Sequence, residues 1–90
     1  MIERVAIVQN GAGIHCRPAS IILKEIMGYK GEITVRSEAG SCRLASVMEL
    51  LTMCLEKGTE VTLSVHGADE GTVVARLVEL FEREYDFPAP

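Results

Sequence analysis

The segment from Val61 to His66 alternates strictly between apolar and polar residues, and this pattern restricts the possible folds more than any other feature of the sequence. Successive side chains of a β-strand point to opposite faces, so Val61, Leu63 and Val65 would line one face of a sheet and leave the other to water. A chain of 90 residues can build about one layer of helices on one sheet. We therefore predict a single domain, residues 1–90, in which helices cover one face of the sheet.

Three further strands are predicted from the same kind of pattern. They are expected at Ile2–Val8, Glu32–Ser37 and Cys42–Leu44. The first is almost continuously apolar, which predicts a strand buried on much of both faces. The second and third are separated by a turn around Gly40, which favours a hairpin.

Apolar residues at helical spacing predict three helices. Their expected extents are Pro18–Ile26, Ser46–Leu55 with Cys54 in the buried stripe, and Asp69–Tyr85. Ser46 and Glu49 have the spacing of a capping box, in which each side chain binds the backbone amide of the other residue. The resulting order, β-α-β-β-α-β-α, favours an α+β fold with a mostly antiparallel sheet covered on one face by helices.

The distribution of charge indicates where an anion would bind. The formal net charge is −4, which argues against non-specific binding to nucleic acid or to anionic lipid. Residues 1–30 contain four basic and two acidic side chains, a net charge of +2, so the remaining sixty residues carry −6. A site for an anion is therefore expected near the start of the chain.

The sequence predicts a cytoplasmic protein without a bound metal or cofactor. No segment approaches about eighteen uninterrupted apolar residues, and the first apolar run is too short for a signal peptide. The three cysteines, Cys16, Cys42 and Cys54, are odd in number and lack C-x-x-C spacing, so neither a disulfide framework nor a zinc site is indicated. Free thiols fit a reducing compartment.

The segment from Gly11 to Ser20 combines the features of an anion site. Two glycines in a loop precede His15 and Arg17. His15 comes directly before the first predicted helix, and Arg17 lies in its first turn. The backbone amides and the macrodipole at a helix N-terminus favour an anion, and a guanidinium fork suits phosphate oxygens. Positive charge beside an imidazole favours its neutral form, which can attack a phosphoryl group.

A structural interpretation of the same residues remains open at this point. His15 and Arg17 could simply cap or flank the helix, since polar residues are common at helix starts. The spacing by itself leaves both interpretations possible.

The string GIHCRPAS, residues 13–20, resembles the active-site motif of HPr, the histidine-containing phosphocarrier family of the sugar phosphotransferase system. The usual form of that motif is close to G-[IL]-H-[AT]-R-P-A. The chain length, the element order, Ser46-Val47-Met48 and Gly67-Ala68-Asp69-Glu70 are also similar to this family. The resemblance implies an open-faced β-sandwich, a four-stranded antiparallel sheet in the order 1-4-2-3 with three helices on one face. It also implies a phosphoryl carrier and not an enzyme.

The resemblance implies a role for each residue that matches the family. His15 would accept a phosphoryl group from phospho-enzyme I, Arg17 would stabilise that group, and enzyme II A components would receive it. Ser46 would be a regulatory site for HPr kinase/phosphorylase. Partners would dock on the exposed faces of the first two helices, at Ser20, Lys24, Met27, Val47, Met48 and Leu51. A monomer is expected.

Departures from the family pattern keep two other interpretations open. Cys16 replaces the usual alanine or threonine and is expected to be small and partly buried, although a thiol at a helix N-terminus could instead act in redox chemistry. Near Ser46, Glu49 stands where the family more often has glycine or lysine, and Gly40 and Ala45 where regulated members tend to have lysine. The remaining alternative is a regulatory protein that acts mainly through Ser46 in an incomplete phosphotransferase system.

Overall fold

The computed structural model describes residues 1–85 and contains the predicted elements in the predicted order. The strands are β1 (Ile2–Ile7), β2 (Glu32–Ser37), β3 (Gly40–Arg43) and β4 (Glu60–His66), and the helices are α1 (Cys16–Glu25), α2 (Val47–Thr52) and α3 (Glu70–Glu82). All neighbouring strands are antiparallel, and the order across the sheet is β1-β4-β2-β3. The predicted α+β open-faced sandwich and its strand order are confirmed.

The two faces of the sheet differ as the alternation in β4 predicts. Val61, Leu63 and Val65 are completely buried against the helices, together with apolar side chains of α1, α2 and α3. On the opposite face, the Ser64 hydroxyl donates to Glu3, whose carboxylate also lies 3.8 Å from the Arg36 guanidinium. Cross-strand polar contacts of this kind suit a face exposed to water.

The prediction that β1 is buried on both faces is wrong. Val5 and Ile7 are 54% and 41% exposed, whereas Ala6 is fully buried. β1 is an edge strand of a sheet with one covered face, so half of its apolar side chains have no layer to pack against. The backbone amide of Ile7 donates to the Glu82 carboxylate at 2.9 Å, so a side chain of α3 binds this end of the strand.

The predicted ends of α2 and α3 are also wrong. α2 stops at Thr52, and Cys54 adopts a left-handed conformation with φ +50°, which places Met53 in the core and exposes Cys54. α3 stops at Glu82, and Tyr85 reaches a buried position from outside the helix. Both errors arise because apolar periodicity continued past the point where the backbone leaves the helix.

Candidate functional site

The loop before α1 is held in one conformation by contact with the segment after α2. Gly13 has φ +74°, and a Cβ atom there would lie 2.2 Å from the backbone oxygen of Leu55, so glycine is required for both conformation and space. The next residue, Ile14, donates its amide to the same oxygen at 2.8 Å. The chain therefore enters α1 from a position set by a distant part of the fold.

His15 is the N-cap residue of α1, with an extended backbone of φ −92° and ψ −164°. Its carbonyl oxygen accepts from the Ala19 amide at 3.0 Å and so begins the helix. Its side chain is half-buried and makes no capping hydrogen bond to the helix. The imidazole therefore does not act as a side-chain cap of α1, which removes one of the two structural roles considered for it.

The first turn of α1 is suited to a negatively charged ligand. Cys16 and Arg17 occupy its first two positions, and the turn contains no acidic residue. The third position is Pro18, whose missing N–H costs the helix little there. The positive end of the helix dipole thus lies beside His15, and no carboxylate in the first turn of α1 repels an anion there.

Arg17 is exposed, and its guanidinium is anchored to the end of the described chain. Its Nη2 donates to the backbone carbonyl of Tyr85 at 2.6 Å. A guanidinium presents its N–H donors in a planar fork that suits phosphoryl oxygens. The structure therefore places an arginine two residues after His15, with its guanidinium bound to Tyr85.

Two residues that sequence reasoning missed connect this arginine to the loop. Asn10 is completely buried, its Nδ2 donates to the carbonyl of Gly13 at 2.7 Å, and its Oδ1 accepts from the Tyr85 amide at 2.5 Å. The sequence offers only a weak signal for Asn10, an asparagine before glycine at the end of a strand. Its partner is 75 residues away, which no local pattern can indicate.

The residues proposed for docking lie along the outer faces of α1 and α2, which contact each other, except Met27, which lies in the turn after α1. Ser20, Lys24, Met27 and Met48 are exposed, and Val47 and Leu51 are half-buried. Met27 and Met48 are 79% and 71% exposed, the degree expected of contact residues and not of a core. Ile21, 37% exposed, extends this face toward Arg17, one helical turn before it, and the sequence analysis did not include it.

Ser46 caps α2, and the structure does not bring it to His15. Its Oγ accepts from the Glu49 amide at 3.2 Å, so one half of the predicted capping box is present. Ser46 lines a groove with Leu23 and Met27, near the C-terminal end of α1. The length of α1, about 15 Å for ten residues, therefore separates the Ser46 end from the His15 end.

All three cysteines are free thiols. Cys16 is exposed, which contradicts the expectation that it is partly buried, because the first turn of α1 faces solvent at this position. The half-buried Cys42 donates to the Met53 sulfur at 3.3 Å, and burial raises the pKa of its thiol.

Within residues 1–85, no group of three or more His, Cys, Asp or Glu side chains is arranged to hold a metal ion. The helices of the same residues include none with the length and apolarity to cross a membrane.

Comparison with known proteins relates this geometry to one family. Residues 2–83 match the family model described as the PTS HPr component phosphorylation site. The chain is 34% identical over 82 residues to phosphocarrier protein HPr of Borreliella burgdorferi, covering 91% of this chain and 95% of that protein. It is 41% identical over 68 residues to the protein of the same name from Haemophilus influenzae, covering 76% and 80%. A crystal structure of HPr-C-His from Thermoanaerobacter tengcongensis superposes with a TM-score of 0.82 at 27% identity, covering 90% of this chain and 91% of that one.

Proposed function

The chain belongs to the HPr family, and we therefore propose that it accepts a phosphoryl group on His15 from phospho-enzyme I and passes it to enzyme II A components. It is a phosphocarrier protein of the phosphotransferase system and not an enzyme. The observation that supports the role of His15 most strongly is its place at the N-terminus of α1, in a turn without acidic residues and next to Arg17.

The proposed transfer needs only groups that this site and its partner contain. A lone pair on an imidazole nitrogen of His15 attacks phosphorus, a nitrogen–phosphorus bond forms, and the bond from phosphorus to the donor group of phospho-enzyme I breaks. Arg17 and the positive end of α1 stabilise the negative oxygens during the step. In the second exchange, an acceptor group of an enzyme II A component attacks phosphorus, the nitrogen–phosphorus bond breaks, and His15 returns to its unphosphorylated form.

The proposal is tested by locating the phosphate directly. The protein is incubated with enzyme I and phosphoenolpyruvate, and separately with HPr kinase and ATP, and labelled residues are mapped by mass spectrometry. We expect acid-labile phosphate on His15 in the first reaction. Phosphate on Ser46 alone would instead favour a regulatory protein in an incomplete phosphotransferase system, and an unlabelled His15 would overturn the carrier role.

We propose that partners dock on the face formed by α1 and α2. As a member of its family, the chain works with partners such as enzyme I and enzyme II of the phosphotransferase system. Met27 and Met48 supply flexible, exposed apolar surface of the kind that suits several partners. Lys24 adds a positive charge to the same face. Transient contacts of this kind suit a monomer in the cytoplasm, which we propose as the working form.

We also propose that phosphorylation of Ser46 by HPr kinase/phosphorylase regulates docking and not the chemistry at His15. A charge near the far end of α1, a helix about 15 Å long, is separated from His15 by more than a Debye length of about 8 Å at physiological salt and is strongly screened. The same charge is adjacent to Val47 and Met48, where it would have to lose water when a partner docks. Glu49 already adds a negative charge in the first turn of α2. The basic residue nearest to Ser46 in the sequence, Arg43, lies 3.9 Å from the Glu32 carboxylate.

Ser46→Asp is therefore expected to raise the KM of enzyme I for this carrier by roughly three- to tenfold and to leave kcat within about twofold. Aspartate is as good an N-cap residue as serine, so the substitution adds charge without removing the cap of α2. Steady-state phosphorylation kinetics over a range of carrier concentrations measure both constants.

The matched control is Ser41→Asp. Ser41 is exposed on β3 and lies opposite Arg36 in the register, on the sheet face that the helices do not cover. This variant adds the same charge on the sheet face opposite α1 and α2, so its KM should equal that of the parent. An equal rise in both variants, or a fall confined to kcat, would contradict regulation through docking.

A further inference from the structure

We infer that Asn10 is a positioning residue for phosphoryl transfer, because it holds the backbone of Tyr85 where the Tyr85 carbonyl orients Arg17. This inference rests on the function proposed for His15 and Arg17 and adds a residue to it. Asn10 belongs to the loop before α1 and is not part of the motif at residues 13–20.

The backbone of Tyr85 is a direct bridge between the buried asparagine and the arginine. Its amide donates to Asn10 Oδ1 at 2.5 Å, and its carbonyl accepts from Arg17 Nη2 at 2.6 Å. Because both bonds are on one residue, the position of the carbonyl depends on the bond to Asn10.

Asn10 is itself fixed on the other side. Its Nδ2 donates to the carbonyl of Gly13 at 2.7 Å, and its own carbonyl accepts from the Gly13 amide at 2.9 Å. Gly13 is two residues before His15. One buried side chain therefore ties the approach to His15 to the residue that binds Arg17.

The side chain of Tyr85 gives the bridge a second anchor. Its hydroxyl donates to the carbonyl of Leu80 at 2.6 Å, and burial raises the pKa of the phenol, so the donor proton is retained. The Arg83 guanidinium lies 5.8 Å from the ring centroid. This anchor joins Tyr85 to α3.

Phosphoryl transfer is expected to be faster when the guanidinium is already held in place than when it must become ordered during the step. Arginine has a long side chain with high rotamer entropy, and holding a catalytic group in place before reaction lowers the barrier. The planar fork of a guanidinium suits phosphoryl oxygens, and the bond to Tyr85 orients the plane in which that fork lies. The effect belongs to the chemical step, because Asn10 is buried and is not on the docking face.

The experiment measures phosphorylation of Asn10→Ala by enzyme I and phosphoenolpyruvate, with Ser64→Ala as the control. We expect kcat of Asn10→Ala to fall about tenfold with KM unchanged. Ser64→Ala also removes a buried polar side chain, but the bond that it loses, to Glu3, lies on the sheet face that the helices do not cover, so its kcat and KM should match the parent. A rise in KM with kcat unchanged, or the same loss of kcat in Ser64→Ala, would overturn the inference.

The same substitution in an Arg17→Lys protein separates a positioning role of Asn10 from a purely structural one. If Asn10 acts through Arg17, Asn10→Ala should cause no further loss of kcat in an Arg17→Lys protein, since lysine lacks the oriented fork. An equal tenfold loss in both backgrounds would overturn the inference. If Asn10→Ala does not fold, Asn10→Ser replaces it. Serine has one oxygen on a shorter side chain and cannot reach both Gly13 and Tyr85, so the same loss of kcat is expected, and an unchanged kcat would overturn the inference.

A spectroscopic measurement distinguishes this inference from the function on which it rests. In ¹⁵N spectra of the unphosphorylated protein, rotation of the Arg17 guanidinium group should be slow in the parent and faster in Asn10→Ala. Identical spectra would overturn the bridge. An unlabelled His15 in the parent overturns the proposed function. A labelled parent with an unaffected Asn10→Ala variant overturns only the role of Asn10.

Discussion

His15→Ala is expected to abolish acceptance of acid-labile phosphate from enzyme I, with a loss of at least about a thousandfold, because the acceptor nitrogen itself is removed. The imidazole makes no capping bond to α1, so the fold should be retained. Radiolabel transfer from phosphoenolpyruvate measures the loss, and thermal unfolding confirms that the variant is folded.

The chain provides its own control in its second histidine. His66 ends β4, pairs with Glu32 in the sheet register and is exposed. His66→Ala should therefore be phosphorylated at the rate of the parent. Residual acid-labile phosphate on His15→Ala, or its disappearance from His66→Ala, would mean that the wrong imidazole has been assigned.

Gly13→Ala is expected to cost about 2–5 kcal/mol of the free energy of unfolding and to impair phosphorylation of His15 in the molecules that remain folded. A side chain at positive φ costs about 1–2 kcal/mol, and forcing an added methyl into a packed region costs about 1–3 kcal/mol. Here the added Cβ would meet backbone at 2.2 Å and 2.9 Å, atoms of Leu55 and Glu56 that cannot move independently. Urea unfolding measures the change in stability.

Gly11→Ala, two residues earlier in the same loop, is the matched control. A Cβ at Gly11 would meet no atom within 4 Å, so its free energy of unfolding should stay within about 0.5 kcal/mol of the parent. Equal stability of the two variants would show that the contact between Gly13 and Leu55 does not hold the loop.

The sequence predicted the strand faces, the helix ends and the site residues with different success. The alternation at Val61, Leu63 and Val65 predicted which sheet face is buried, because side-chain direction in a strand is a local property. The same reasoning misjudged Val5 and Ile7, because it could not show that β1 is an edge strand with one open face. The family motif identified His15 and Arg17 but no residue outside its own span in this part of the chain.

The sequence by itself determined the element order, the covered sheet face and the segment that contains the proposed acceptor. These properties follow from patterns that repeat over two to four residues or from a short motif. Only the tertiary structure decided that Met53 and not Cys54 enters the core, that Ser46 and His15 lie near opposite ends of α1, and that Tyr85 binds Arg17. The physical reason is that these contacts join residues far apart in the chain. Asn10 and Tyr85, 75 residues apart, meet only when the sheet has brought the end of α3 to the loop before α1.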